Sequence, residues 1–491
     1  MFSLGKQATF PNNQLQDILK SAAPGGRLSE KNADGSRYFY DGDRLTGYFD
    51  ASTGETSVFP KLSLLKPGNI DNPDLSRFVR NNAIIPNDDT TTSIVIGSRF
   101  GGSQKTLGGR ASPPATYLWE SIIQRTIRYE NQLVPVCGPG SKASFSFGAD
   151  GSVKGLIHRW SSAQSLRTTI APISQDIIQS NIAAQLTAAN LTTNVTVQAV
   201  DLCFFDSGNK YIQPVYRYNA TIVNPSGISN DLIIGYVPAG GKEQEPLPSL
   251  IAPTDQAQPA VGNQLPSNST ETPKRQSGAI TVARYALKND QYTPQVVVDE
   301  NAFWNGLSST NGRFVNSQYY WDEPRFYENE AQSFINSVNV AFTEGHGNVH
   351  LFITDDNLPG SGEVDIASSL PTNGFGPGAG GKLAYWIIRA CDTISTPIDG
   401  DFDAAFEPWW QVFNGMHAVM GYRTLAQVYD NEMGTVGKNL ALGASVVHGW
   451  MSAALGGGKT SAVTVCGHDD DNIYQVGNLG RPGCLQIWWY S

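Results

Sequence analysis

The stretch VNVAFTEGHGNVHLF, residues 338–352, ends an apolar run on a histidine held between two glycines. Short apolar runs without polar alternation, bounded by turn residues, mark strands covered on both faces. Gly345 and Gly347 supply the turn, and on their own they would leave His346 an ordinary exposed imidazole. A second run of the same kind changes that reading. KLAYWIIRACDT, residues 382–393, stops at Ala390-Cys391, and 45 residues (391 − 346) separate the histidine from the cysteine. That length accommodates a strand end, a crossover and the next parallel strand. Neighbouring parallel strands would then carry His346 and Cys391 to one rim, where open α/β sheets bind their ligands.

The pairing has a chemical reason. A free thiol has a pKa of about 8.5, so little of it is thiolate at neutral pH. A neighbouring imidazole takes the proton, stabilises the thiolate as imidazolium, and later protonates a leaving group.

The surrounding sequence extends the pattern. Helical EPRFYENEAQSFI (323–335) precedes the first run, helical EPWWQVFNGM (407–416) leads into HAVMGYRT (417–424), and NLALGASVVHGW (439–450) follows. Apolar runs separated by helices predict an α/β fold, a parallel-rich sheet with helices on both faces, over residues 279–491. Residues 238–278 are rich in Pro, Gln, Ser and Gly and read as a linker or long loop. Residues 1–237 read as an α+β region of one or two units. There, NNQLQDILKSAAPG (12–25) is helical, and SRYFYDGDRLTGYFDASTGETSVFP (36–60) alternates around DGD and STGE turns. The order returns with helical SQDIIQSNIAAQLTAA (174–189) before VTVQAVDLCFF (195–205) and YIQPVYRYNATIV (211–223).

An apolar strand ending in His-Gly, a spacer, then an apolar strand ending in Ala-Cys resembles the caspase-like cysteine peptidases. That group includes caspases, legumains, gingipains, separases and CHAT domains. The resemblance covers about residues 300–455 and extends to VFNGMHAVMGYRT (412–424), similar to the segment after the cysteine in CHAT-like members. It implies a catalytic dyad of His346 and Cys391, with the N–H groups of Gly347 and Cys391 as oxyanion hole. IIRACDTIS lacks the Q-A-C-x-G signature of true caspases, and no specificity-pocket motif is assigned. The helix-then-hairpin order with YFDASTGETSVF resembles PepSY modules, which accompany secreted peptidases as pro-segments or regulators.

The expected activity is peptide or amide hydrolysis on a peptide or small-molecule substrate. Expected substrate contacts are Glu344, Asn348, Asp392 and Trp386, although Trp386, Trp409 and Trp410 also suit a core. Asp392, Asp399, Asp401, Asp403 and Glu407 follow the cysteine with no Lys or Arg among them, as a selector for basic side chains or a solvated loop. Loop 354–382 joins the two key strands and is long enough to shape a site. The alternative on the same fold is a small-molecule biosynthetic enzyme, a cyclase or isomerase, or an inactive binding protein.

Other motifs read as structural. His448-Gly449 and Cys466 are only 18 residues apart (466 − 448), tight for a helical crossover. ALGGGKTS (454–461) has Ala453 where a P-loop needs its first glycine. HDDDN (468–472) lacks the alternating spacing of a calcium loop and reads as a solvated turn. His350 reads as a packed or exposed imidazole, and a Cys466–Cys484 pairing stays open.

Of the 491 residues, 40% are hydrophobic and 16% charged, as in a folded protein. A net charge of −10 and a pI near 5.1 disfavour nucleic acid and anionic membranes as partners. No apolar run reaches the ~20 residues of a membrane span, and MFSLGKQATFPNNQ has no signal-peptide core. Five cysteines without a C-x-x-C pair imply neither a disulfide framework nor a zinc site, and no metal or cofactor is expected. The expected compartment is intracellular (cytoplasmic), while sequons at Asn190, Asn194, Asn219 and Asn268 keep secretion open.

Overall fold

The computed structural model describes the chain except for residues 8–11, 29–33, 70–83, 167–169, 224–229, 251–255, 262–277, 289–292, 310–312, 356–361, 427–431 and 457–460. The chain folds as a mixed α/β protein around one large mixed sheet.

The N-terminal part contains β1 (Phe2–Gln7), α1 (Asn12–Ala22), β2 (Arg27–Leu28), β3 (Arg37–Asp41), β4 (Arg44–Phe49) and β5 (Thr56–Val58). Then come β6 (Thr91–Thr106), β7 (Ala115–Tyr129), β8 (Gln132–Cys137), β9 (Lys142–Gly148), β10 (Val153–Arg159) and β11 (Ser161–Ser165). Antiparallel pairing runs β3–β4–β5–β10–β9–β7–β6. Helix α1 lays Leu15, Ile18, Leu19 and Ala22 onto Phe145, Leu156 and Trp160 of this sheet, the i, i+3, i+4, i+7 face its sequence displays. A second unit follows, with α2 (Gln175–Ala188), β12 (Val195–Asp206), β13 (Tyr211–Val223) and β14 (Asn230–Pro238). Ile178, Ile182 and Leu186 of α2 pack on Tyr218, Ala220 and Ile233 of the β13–β14 pair.

The C-terminal part runs β15 (Ile280–Ala286), α3 (Thr293–Ser308), β16 (Phe314–Trp321), β17 (Val340–Glu344), β18 (His346–Asn348), β19 (Leu351–Ile353), β20 (Glu363–Asp365) and β21 (Tyr385–Arg389). It ends with α4 (Glu407–Val412), β22 (Ala418–Tyr422), α5 (Glu432–Ala441), α6 (Val446–Gly456), β23 (Ala462–Cys466) and β24 (Cys484–Tyr490). Strands β16, β15, β17, β21 and β22 pair in that order and all parallel; β23 and β24 continue the sheet antiparallel. Every residue of β17, β21, β22 and β23 is buried, which explains runs without alternation. One face is covered by α3, α5 and α6, with Phe303, Leu307, Val436 and Trp450 against Phe342 and Ile387. On the other face, Trp409 and Val412 of the short α4 join Phe326 and Ile335 over Trp386 and Ile388.

Two expectations need correction. EPRFYENEAQSFI forms short 3₁₀ turns at Pro324–Phe326 and Ile335–Ser337 instead of a helix. Phe326 stacks on Phe334 at 4.1 Å, and the Tyr327 hydroxyl donates to Asp322 at 2.8 Å, so core anchoring overrides helix propensity. HDDDN is no solvated turn: Asp470 accepts the Leu62 N–H at 2.9 Å and the Ser63 N–H at 3.1 Å, and Asp471 meets His417 at 2.6 Å. The segment anchors the N-terminal part. Between the two key strands, β20 completes a small β18–β19–β20 sheet. Much of the expected linker, with Asn268, and part of GGGKT lie outside the described residues.

The two halves share backbone hydrogen bonds. Strand β24 pairs with β6 from Cys484↔Thr106 to Tyr490↔Phe100, placing Trp488 opposite Gly102 and Trp489 opposite Gly101. A Cβ on Gly102 would lie 2.6 Å from the Trp488 ring, so these glycines leave room for the indoles to lie on the backbone.

Candidate functional site

The parallel register sets the site. Glu344 ends β17 directly opposite Arg389 at the end of β21, and the Gly345 N–H reaches the Arg389 carbonyl at 3.3 Å. His346 and Cys391 are each two residues further on, so the strands bring both to the same carboxyl rim. The Leu287 N–H donates to Glu344 O at 3.0 Å and the Asp322 N–H to Ala286 O at 2.8 Å, which aligns β15 and β16 there too. The sheet order reverses at β15, whose neighbours are β16 and β17, and such a switch point opens a crevice beyond the strand ends.

Gly347 is the close-contact residue. A Cβ there would lie 2.3 Å from the Cys391 carbonyl oxygen and 2.8 Å from both Ala390 Cβ and Thr393 Oγ1. No larger side chain fits between the histidine turn and the cysteine turn. Cys391 belongs to the helix-covered face with Ile387 and Phe342, whereas Ala390 faces the other core. Its sulfur accepts the Ala426 N–H at 3.2 Å. Beyond it Asp392 takes a left-handed φ of 53° and its N–H donates to Thr424 O at 3.0 Å, turning the chain sharply. Cys391 is 1% exposed and His346 4%.

The expected substrate contacts separate. Glu344 is buried in an ion pair with Arg389, which also meets Asp299 of α3 at 2.9 Å. Asn348 is exposed on β18, its Oδ1 accepting the Val349 N–H at 2.8 Å. Burial, and then Asp399, push the Asp392 carboxyl up, against the pull of Arg423. Trp386 is wholly buried on the opposite face, where its Nε1–H donates to Thr343 Oγ1 at 3.0 Å and its ring stacks on Tyr327. It has no surface to offer a ligand. Trp409 is core as well, and His350 packs edge-on against it, with burial lowering its pKa. The acidic stretch is internally engaged: Arg423 holds Asp399, while Lys105 holds Asp403 at 3.1 Å and also Glu407. Through Lys105 of β6, Asp403 and Glu407 bridge the two halves, whereas the Asp399–Arg423 pair lies within the C-terminal part.

Beneath the rim lies a buried ionic cluster that sequence reading overlooked. Asp299, Glu300, Asp322 and Glu344 share the interior with Arg284 and Arg389, none more than 2% exposed. Arg284 donates to Glu300 O and Asn301 Oδ1, each at 3.0 Å. Burial drives the Glu300 carboxyl well above its ordinary range despite Arg284, and burial does the same to Asp322. The signal was present as charges inside apolar runs: Arg284 in VARYA, Asp299-Glu300 in VVVDENAFW, Arg389 in WIIRA.

A large cleft lies elsewhere. About 1180 Å³ in volume, it opens at the amino ends of the parallel strands, between Tyr38, Tyr40 and Arg44 on one side and Arg313, Asp470 and Tyr474 on the other. Among the described residues no three His, Cys, Asp or Glu side chains converge to hold a metal ion, and no helix is long and apolar enough to cross a membrane.

A family model described as "Domain of unknown function (DUF6345)" matches residues 284–475, a span containing both His346 and Cys391. No curated protein matches the chain. An uncharacterized protein from Eubacterium rectale ATCC 33656 is similar over 50% of this chain and 85% of its own, at 9% identity and a TM-score of 0.29. The Bacillus megaterium YpeB C-terminal domain is similar over 48% of this chain and 96% of its own, at 15% identity and a TM-score of 0.20.

Proposed function

We propose that the chain is a Cys–His hydrolase of the caspase-like type, acting by acyl transfer on a peptide or amide. The observation that supports it is the contact of the His346-Gly347 turn with Cys391 at the carboxyl ends of adjacent parallel strands. In this reading Cys391 attacks the carbonyl carbon and His346 takes the thiol proton. The tetrahedral oxyanion rests on the N–H groups of Gly347 and Cys391, each worth on the order of 100-fold in rate. Collapse expels the amine, protonated by His346, and water then releases the acyl group from sulfur. Because Ala426 covers the sulfur, a substrate reaches it only when the Arg423–Ala426 turn shifts.

The test combines labelling with turnover. An iodoacetamide probe at neutral pH should modify Cys391 ahead of the other four cysteines, and His346→Ala should slow that labelling. With a peptide-amide library, Cys391→Ser should abolish hydrolysis, and His346→Ala should cost ~100- to 10,000-fold. Retained turnover in a folded Cys391→Ser protein would overturn covalent catalysis.

The amino-end cleft favours a second reading, a binding protein or small-molecule enzyme on the same fold. Its walls combine three tyrosines with paired charges, including Arg44–Asp470 at 3.3 Å and Arg313 4.7 Å above the Tyr474 ring. Ligand binding lost in Tyr474→Ala but intact in Cys391→Ser would select it.

A further inference from the structure

We propose that Cys137 and Cys203 are oxidised to a disulfide that staples β8 to β12. Their sulfur atoms lie 2.9 Å apart, less than an ångström beyond a bond of about 2.05 Å. The backbone already holds them there. Strands β8 and β12 are parallel neighbours, with Val136 opposite Phe204 and Cys137 opposite Phe205, so Cys203 is the diagonal neighbour of Cys137. Just past Cys137, Gly138 at a φ of 97° presses onto β12, where a Cβ would meet the Asp206 carbonyl oxygen at 2.5 Å. The Gly140 N–H then donates to that carbonyl at 2.9 Å. Closure of the bond needs the two sulfurs to approach by less than another ångström.

Cys203 is 3% exposed among Phe205, Val215, Tyr236 and Leu247, and the Cys137 thiol also has Phe204 O within reach at 3.3 Å. Cys137 is partly exposed and is the accessible sulfur. It assigns the order of events. The Cys137 thiolate attacks a low-molecular-weight disulfide such as oxidised glutathione, and one thiolate leaves. Cys203 then gives up its proton and attacks the Cys137 sulfur, displacing the second thiolate. Two protein thiols and one small disulfide become one protein disulfide and two small thiols.

The staple has a mechanical role. Strand β8 also pairs with β7 of the first sheet, so the bond would lock the first sheet to the β12–β13–β14 unit. It closes a loop of 66 residues (203 − 137), and long loops yield the larger losses of unfolded-state freedom. The Cys466–Cys484 alternative shares the diagonal register, Cys466 standing opposite Gln486, but there the Cys484 sulfur turns toward Leu485 O at 3.6 Å.

The full-length protein, purified reduced and then incubated with oxidised glutathione, should be acid-quenched, denatured, alkylated and digested. The expected result is a peptide pair linked through Cys137 and Cys203, lighter by two hydrogens than the reduced peptides. Reductant should also lower the thermal midpoint of the oxidised wild type by several degrees while leaving Cys137→Ser unmoved. Alkylation of both cysteines, linkage of either to another cysteine, or a stable glutathione adduct at Cys137 would overturn the proposal. A reductant shift of equal size in Cys137→Ser would overturn it as well.

Discussion

Gly347 rests on Cys391 so closely that a single added carbon would sit 2.3 Å from the cysteine carbonyl oxygen. The neighbouring atoms, Ala390 Cβ and Thr393 Oγ1, belong to buried residues and cannot retreat. Gly347→Ala is therefore expected to cost about 1–3 kcal/mol by overpacking. It should also separate the histidine turn from the cysteine turn. Urea unfolding gives the first effect, and the rate of Cys391 alkylation gives the second. An unchanged midpoint and unchanged labelling would show that the turns are not coupled.

Arg389→Met removes the cation that Glu344 and Asp299 share in the interior. Leaving carboxylates buried without it should cost roughly 3–5 kcal/mol at neutral pH. In the variant both carboxyl groups gain raised folded-state pKa values. Their stability contribution is then intact below the ordinary carboxylate range and is lost as pH rises. The deficit relative to wild type should consequently shrink between pH 8 and pH 5, as read by urea midpoints.

Glu120 gives a pH dependence in the wild type. Burial lifts its pKa from 4.5 to about 7, against the pull of the Ser146 hydroxyl. The folded protein binds this proton more tightly than the unfolded chain does. The associated stability is full below pH 4.5 and gone once pH passes 7. By the shift it is on the order of 3 kcal/mol. Glu120→Gln should flatten the fall in thermal midpoint between pH 5 and pH 8. A variant with the wild-type slope would assign the dependence to other groups.

Removing residues 1–235 strips β6 from β24 and uncovers Trp488, Trp489 and Tyr490, which are at most 4% exposed in the whole chain. The remaining fragment should be insoluble, or bind a hydrophobic dye with loss of cooperative unfolding. A soluble fragment with a sharp transition would show that the C-terminal sheet tolerates a bare edge.

The sequence by itself determined the local elements whose signal lies in neighbouring residues. Apolar runs at 340–344, 385–389, 418–422 and 462–466 became fully buried strands, since side chains covered on both faces leave no polar alternation. Periodic apolar residues gave α1 and α2, and DGD and STGE gave the turns of the β3–β4–β5 meander. The meeting of the two strand ends that carry His346 and Cys391 was legible because parallel strands joined by one crossover finish at the same rim.

Tertiary structure alone decided which side chains at that rim are satisfied elsewhere. Glu344 pairs with Arg389, Asp399 with Arg423, and Asp403 with Lys105, partners 24 to 298 (403 − 105) residues away whose approach no local pattern encodes. It likewise turned EPRFYENEAQSFI from helix to 3₁₀ turns, because aromatic anchoring in the core outweighs the few tenths of a kcal/mol of propensity per residue. The Cys137–Cys203 contact belongs to the same class. Spacing along a chain says nothing about which strands become neighbours across a sheet junction, and only the folded register brings those sulfurs together.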